Sequence, residues 1–220
     1  MVARRVAGLP LEQVLGWAEF CGLRIVVEPG VFVPRRRTAL LVDQTLALLT
    51  DVDGPVVVEL CCGSGAVAAA VHHARPDVEL HASDIEPRAI HCARRNLDGI
   101  GSVHEGDLTA ALPGELAGRV DVIVANAPYV PSDEIAMMPP EARDHEPRVA
   151  LDGGADGVDV HRQVAEQATR WIRPGGYLVI ETSRCQAPLT LDAMTRQGFD
   201  ACVVRSDALD ATATVGRKMG

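Results

Sequence analysis

Apolar positions fall at helical spacing early in the chain. Leu11, Val14, Leu15 and Ala18 share one face of a stretch that begins at Pro10, so the pattern predicts a helix over 10–20. "LRIVVEPGVFVP" (23–34) carries two short apolar runs about Pro29-Gly30, which reads as two strands and a turn. Thr38 stands where it can cap a helix over 39–49. From there the period alternates. Strands are expected at 55–60, 78–84, 101–107 and 120–126, with helices over 65–74 and 87–97 between the first three. A long polar loop follows, then a helix over about 157–172, a turn and strand at 173–183, and a short helix near 187–197. Strands at 199–206 and 212–218 close the chain.

Strand–helix alternation of this kind gives a mostly parallel sheet covered on both faces. The last two strands leave no room for a helix between them, so they should pair antiparallel. The expected fold is therefore α/β, a seven-stranded sheet with an antiparallel last strand, preceded by a short helix and a β-hairpin. Residues 1–36 read as an extension and 37–220 as one domain. Ligands of such sheets bind beyond the carboxyl ends of the strands, near the point where strand order reverses.

Composition narrows the function. With 220 residues and 47% hydrophobic content, one full core is affordable. No run approaches the roughly 18–20 apolar residues of a membrane span, and "MVARRVAGLPLEQ" has no apolar signal region. A cytoplasmic protein is expected. The six cysteines form no C-x-x-C pair and read as buried, reduced thiols. No H-E-x-x-H occurs, and no metal site is expected. The net charge of −9 argues against a general nucleic-acid surface. The one dense basic run, Arg35-Arg36-Arg37, reads as solvated.

Five features carry candidate chemistry. "ELCCGSGAVA" ends the first strand of the alternating region. Gly63 and Gly65 allow a tight turn and close approach of backbone to a ligand, with helix N–H groups beyond. Gly63-x-Gly65-x-x-Ala68 also fits a dinucleotide pattern, which keeps a nicotinamide-dependent oxidoreductase open. Asp84 ends the second strand and can accept from both hydroxyls of a ribose, or cap the helix at Pro87. Asp107 ends the third, where a carboxylate can take an adenine amino group, or serve as an ordinary loop residue. Glu59 lies inside an apolar strand, where a carboxylate needs donors: loop N–H groups or a ligand's ammonium.

The fifth feature is Asn126-Ala127-Pro128-Tyr129 at the end of the 120–126 strand. A redox enzyme has no need of it. A methyltransferase acting on a planar nitrogen does, because an amide or aromatic amine is a poor nucleophile. Its N–H groups must be gripped so that the lone pair faces the methyl donor. The Asn126 side-chain oxygen and the carbonyl of residue 127 can supply the two acceptors, and Tyr129 can wall the pocket.

These residues resemble the class I S-adenosylmethionine-dependent methyltransferases, and more narrowly the protein-(glutamine-N5) methyltransferases that modify peptide chain release factors. The resemblance runs from about residue 9 to the C-terminus. It rests on "LPLEQVLGWAEFCGL", "VFVPRRRT", "ELCCGSGAVA", "ASDIEPRAIHCARRNL", "NAPYVPSDEI", "PPEARDHEPRVALDGGADGVDVHR" and "RPGGYLVIE". It implies a Rossmann-like sheet, S-adenosylmethionine as cofactor and a protein substrate with an exposed glutamine. It further implies that Cys61, Cys62, Gly63, Ser64 and Gly65 line the methionine moiety, that Asp84 binds the ribose, and that Asp107 and Leu108 border the adenine. Glu59, Ile85 and Asn126 would also belong to the cofactor site. Asn126, Ala127, Pro128 and Tyr129 would hold the glutamine amide. Four departures stand out. The family's Asn-Pro-Pro-Tyr has Ala127 here, and its "PRPET" reads Pro34-Arg35-Arg36-Arg37-Thr38. A family tyrosine is His161, and only nine residues precede Pro10, where the family carries a helical domain that helps dock the release factor.

The runner-up readings are an N-methyltransferase of adenine in nucleic acid, one acting on a small molecule, and a domain that binds cofactor without catalysis. Residues 132–159 hold eight acidic side chains against Arg143 and Arg148, a predicted negative wall that would repel phosphates. No added domain for extruding a base is evident.

Overall fold

The computed structural model describes residues 1–220. Two short helices, α1 (Val2–Val6) and α2 (Leu11–Leu15), lead into strands β1 (Trp17–Phe20) and β2 (Leu23–Val26). Here the expectation needs correction. The helix predicted over 10–20 stops at Gly16, which takes a left-handed φ of 82°. Beyond it the burial period is two, with Ala18 and Phe20 inward. The hairpin lies one element earlier than expected. Its two-residue turn is Cys21-Gly22, both at positive φ, which matches the twist of the flanking strands. Pro29-Gly30 turns an extended segment that has no strand partner, although Val27, Val31 and Val33 are buried in the core.

Helix α3 (Ala39–Leu48) follows a short 3-10 turn at Arg36–Thr38. Thr38 takes the cap position, yet its side chain makes no cap hydrogen bond. The alternation then appears as expected: β3 (Val56–Leu60), α4 (Ala66–Ala74), β4 (Glu79–Asp84), α5 (Pro87–Asn96), β5 (Ser102–Glu105) and β6 (Val120–Ala125). The polar loop after β6 holds a short helix, α6 (Pro140–His145), which the sequence pattern did not predict. Helix α7 (Asp159–Trp171), β7 (Ile172–Thr182), α8 (Ala187–Arg196), β8 (Phe199–Ser206) and β9 (Ala211–Lys218) complete the chain.

The seven strands form one sheet in the order β5-β4-β3-β6-β7-β9-β8. Strand β9 inserts between β7 and β8 and runs antiparallel to both. Alternate residues of β3 serve opposite cores: Val57 packs beneath α3, α4 and the hairpin, while Val56, Val58 and Leu60 join Ile123, Leu178 and Trp171 on the other face. Each such side chain contributes about 1.5–3 kcal/mol by leaving water. Strand order reverses between β3 and β6, and their carboxyl ends open the cleft described next. No helix is long and apolar enough to cross a membrane.

The cysteines depart from expectation. All six are free, but only Cys62 and Cys92 are buried. Cys61 is half-buried, and Cys21, Cys185 and Cys202 are exposed.

Candidate active site

One cleft at the carboxyl ends of β3, β4 and β6 brings together Glu59, Cys61, Cys62, Gly63, Ser64, Asp84, Ile85, Asp107, Leu108, Asn126, Ala127, Pro128 and Tyr129. Gly65 alone among the expected residues does not line it. Gly65 (φ 73°) starts α4, and a side chain there would meet Leu97 and Ala93 of the neighbouring helix, so its role is packing.

The donor half is built from satisfied carboxylates. Glu59, 3% exposed, accepts from the Ala68 N–H at 2.8 Å, at the amino end of α4. Burial pushes its carboxyl up to about 8, with the Asp84 charge adding to the rise against the Ala68 hydrogen bond. Asp84 uses both oxygens: one accepts from the Gly63 N–H at 2.8 Å, the other from the Glu86 N–H at 2.9 Å. It ties the glycine loop to β4. The cap of α5 is instead Glu86, whose side chain accepts from the Arg88 N–H at 3.4 Å. Asp107 makes no hydrogen bond through its side chain and stands exposed at the rim, free to meet a ligand. Cys61 (φ 53°) and Leu108 (φ 45°) hold left-handed backbone that side chains rarely adopt. Burial raises both Cys61 and Cys62 above the usual thiol range, so they are neutral walls.

The acceptor half is organised by residues the sequence reading did not single out. Asn126 donates Nδ2 to Thr38 Oγ1 at 3.3 Å, which turns its Oδ1 away from Thr38 as an acceptor. Tyr129 is held by Arg37, whose Nη2 donates to its hydroxyl at 2.7 Å, while the hydroxyl donates to Glu181 Oε1 at 3.4 Å. Burial, with the Glu181 charge next, pushes the Tyr129 hydroxyl up to about 12, so the ring stays neutral. Arg37 Nε also donates to Glu181 Oε1 at 3.2 Å, and Arg35 pairs with buried Glu146 at 2.6 Å. The basic run is therefore not simply solvated; among its three arginines only Arg36 has no partner. Glu181 could have been found by the reasoning that found Glu59, since it too is a carboxylate inside an apolar strand.

The "LDGGADG" stretch clamps the back of this wall. Gln186 Nε2 donates to the Tyr129 carbonyl at 2.6 Å and to the Asp156 carbonyl at 3.1 Å. A Cβ on Gly157 would lie 2.0 Å from Gln186 Nε2 and 2.4 Å from the Tyr129 carbonyl oxygen; one on Gly153 would lie 2.7 Å from Tyr129 Cα. His161, fully buried, packs edge-on to Tyr129 with centroids 6.3 Å apart and shares a 2.9 Å hydrogen bond between Nδ1 and Thr190 Oγ1. Burial lowers its pKa to about 4.

The predicted negative wall needs correction. Glu141, Asp144, Glu146, Asp152, Asp156 and Asp159 each pair with an arginine, leaving only Asp133 and Glu134 without one. Toward the cleft this loop presents Met138, Val149 and Leu151, an apolar lining. Local field is thus weaker than the residue count suggests, and only the overall charge of −9 opposes a phosphate backbone.

Residues 22–138 match the methyltransferase small domain family. A solved methyltransferase from Pyrococcus furiosus superposes with a TM-score of 0.67 at 17% identity, covering 99% of this chain and 100% of that one. Fold and domain thus define a methyltransferase. A release factor glutamine methyltransferase of Geobacter sulfurreducens is 36% identical over 100% of this chain and 77% of its own length. Another, of Streptomyces coelicolor, is 41% identical over 84% and 67%. The chain belongs to the release factor glutamine methyltransferase family.

Proposed function

We propose that this protein methylates the side-chain amide nitrogen of a glutamine in a peptide chain release factor, in the cytoplasm, with S-adenosylmethionine as donor. When bound, S-adenosylmethionine supplies an electrophilic methyl group on a sulfonium. The donor half fits it: Asp84 keeps lone pairs for ribose hydroxyls after its two backbone bonds, Asp107 and Leu108 flank the adenine, and the Cys61–Ser64 loop takes the methionine portion. Glu59 stiffens that loop through α4.

The observation that carries the reading is the fixed orientation of Asn126. With Nδ2 committed to Thr38, Oδ1 makes no hydrogen bond within the protein and is left as an acceptor in the cleft that Ala127 also lines. Two acceptors can then take the two N–H groups of a carboxamide and hold its plane, so the nitrogen lone pair points at the donor half. Tyr129 supplies the wall, and the apolar Met138, Val149 and Leu151 exclude water. No strong base is needed, because the nitrogen sheds its proton readily once it carries the methyl and a positive charge. The gain comes from positioning, not proton transfer. Family membership supports the release factor as the acceptor. Residues 1–36 are read as the extension that closes the acceptor side, and 37–220 as the catalytic domain.

The test is Asn126→Ala with a bacterial release factor as acceptor. Turnover should fall by ~10²-fold or more while S-adenosylmethionine affinity stays within about twofold. Retained turnover would remove Asn126 from the amide grip.

A further inference from the structure

A carboxamide has a third polar group that the proposed grip leaves open. Asn126 Oδ1 and the Ala127 carbonyl are acceptors and answer only the N–H groups. The amide oxygen needs a donor, and leaving it buried without one costs about 1–3 kcal/mol. The lining offers few donors. Thr38 Oγ1 accepts from Asn126 Nδ2 and keeps one neutral O–H; the Tyr129 hydroxyl donates to Glu181, and Arg35 lies over the Phe32 ring at 5.0 Å with Nη2 on Glu146. Arg37 is the charged donor that stands against Tyr129. It is adjacent in sequence to Thr38, its guanidinium carbon sits 6.0 Å from the Tyr129 ring centroid, and Nε and Nη2 are both committed. Nη1 has no partner.

We infer that Arg37 is a specificity-determining residue of the acceptor pocket: its Nη1 donates to the oxygen of the acceptor amide, so the pocket selects a carboxamide over an amine of the same shape. This rests on the glutamine reading above. The partner charge matters to the chemistry. A lone guanidinium on the amide oxygen would draw electron density from the nitrogen that must attack. Glu181, 2% exposed and bonded to both Arg37 and Tyr129, offsets that charge. Its second oxygen has no partner, so the carboxylate is buried on its own side of the pair while Arg37 reaches to the cleft surface.

The experiment compares two synthetic peptides copied from a bacterial release factor around its target: one with glutamine, the other with ornithine in its place. Ornithine keeps the chain length but has a methylene for the amide C=O, so it lacks the oxygen and carries an ammonium. Turnover is measured on the first, and competitive inhibition by the second, for the wild type, Arg37→Met, Arg37→Lys and Arg36→Met. The wild type should favour glutamine. Arg37→Met should raise the glutamine-peptide KM and cut the glutamine-to-ornithine preference by about tenfold or more, because unpaired Glu181 then attracts the ornithine ammonium. Arg37→Lys, which keeps a donor and serves as the second variant should the methionine form fold poorly, should fall between. Arg36→Met should match the wild type, and the S-adenosylmethionine KM should not move. If Arg37→Met and Arg37→Lys weaken both peptides equally, or neither, Arg37 only supports the wall and the inference fails. A wild type that never methylates the glutamine peptide overturns the glutamine reading itself, before any variant is considered.

Discussion

Glu59→Gln is the most informative single perturbation of the donor half. Glu59 is 3% exposed, and burial pushes its folded carboxyl up to about 8 from an ordinary value of 4.5. A carboxyl raised in the folded state contributes stability that is fully present below the unfolded pKa and lost as pH rises through the folded one. The window is therefore pH 4.5 to 8. At about 1.4 kcal/mol per pH unit, the gap bounds the loss at ~5 kcal/mol, and relaxation around the ionised group should bring the observed value to ~2–3 kcal/mol. Glutamine keeps an oxygen to accept from the Ala68 N–H, which donates to Glu59 Oε2 at 2.8 Å, and removes only the titration. Urea unfolding of both proteins at half-unit steps from pH 5 to 8.5 reads the effect. The wild-type midpoint should fall with pH, and the variant curve should be flatter by that amount. Parallel curves would mean that Glu59 ionises normally in the folded protein and that its burial carries no such cost.

Three further outcomes follow from the same geometry. Gly157→Ala should destabilise by about 2–4 kcal/mol in denaturant melts and cut turnover, because the new methyl meets the Tyr129 carbonyl and Gln186 at positive φ. Asp84→Asn should weaken S-adenosylmethionine binding about 10-fold or more by calorimetry, since an amide cannot accept at both atoms from the loop N–H and a ribose hydroxyl. Ala127 contributes a buried N–H that makes no hydrogen bond. Ala127→Pro should leave glutamine turnover within about twofold and raise stability by a few tenths to ~1 kcal/mol, measured by thermal melting.

Legibility differed by region for physical reasons. The central βα alternation was readable because fully buried strands such as Val56–Leu60 are apolar on both faces and helices such as α5 are strongly amphipathic. Gly63, Asp84 and Asn126 were readable because each is an unusual residue type at a strand's carboxyl end. The N-terminus misled because Leu11, Val14, Leu15 and Ala18 satisfy a helical period across Gly16, where a left-handed residue in fact breaks the chain. The site roles of Thr38, Arg37 and Gln186 escaped notice because they lie in contacts across 30 to 144 positions of sequence, which no local pattern encodes. Charge counting over 132–159 failed for the same reason: its arginine partners include Arg5, Arg35 and Arg162, outside the window.

The alanine in Asn126-Ala127-Pro128-Tyr129 is compatible with the chemistry, because the proposed grip uses the carbonyl of residue 127, which any residue supplies. That grip, aimed at a glutamine amide, is the central claim. The direct measurement incubates the protein with labelled S-adenosylmethionine and a bacterial release factor, then maps the modified residue by tandem mass spectrometry. One methyl group on the side-chain nitrogen of a single glutamine is the expected result. A methyl group on any other residue type, or none transferred under conditions where the cofactor binds, would contradict the account.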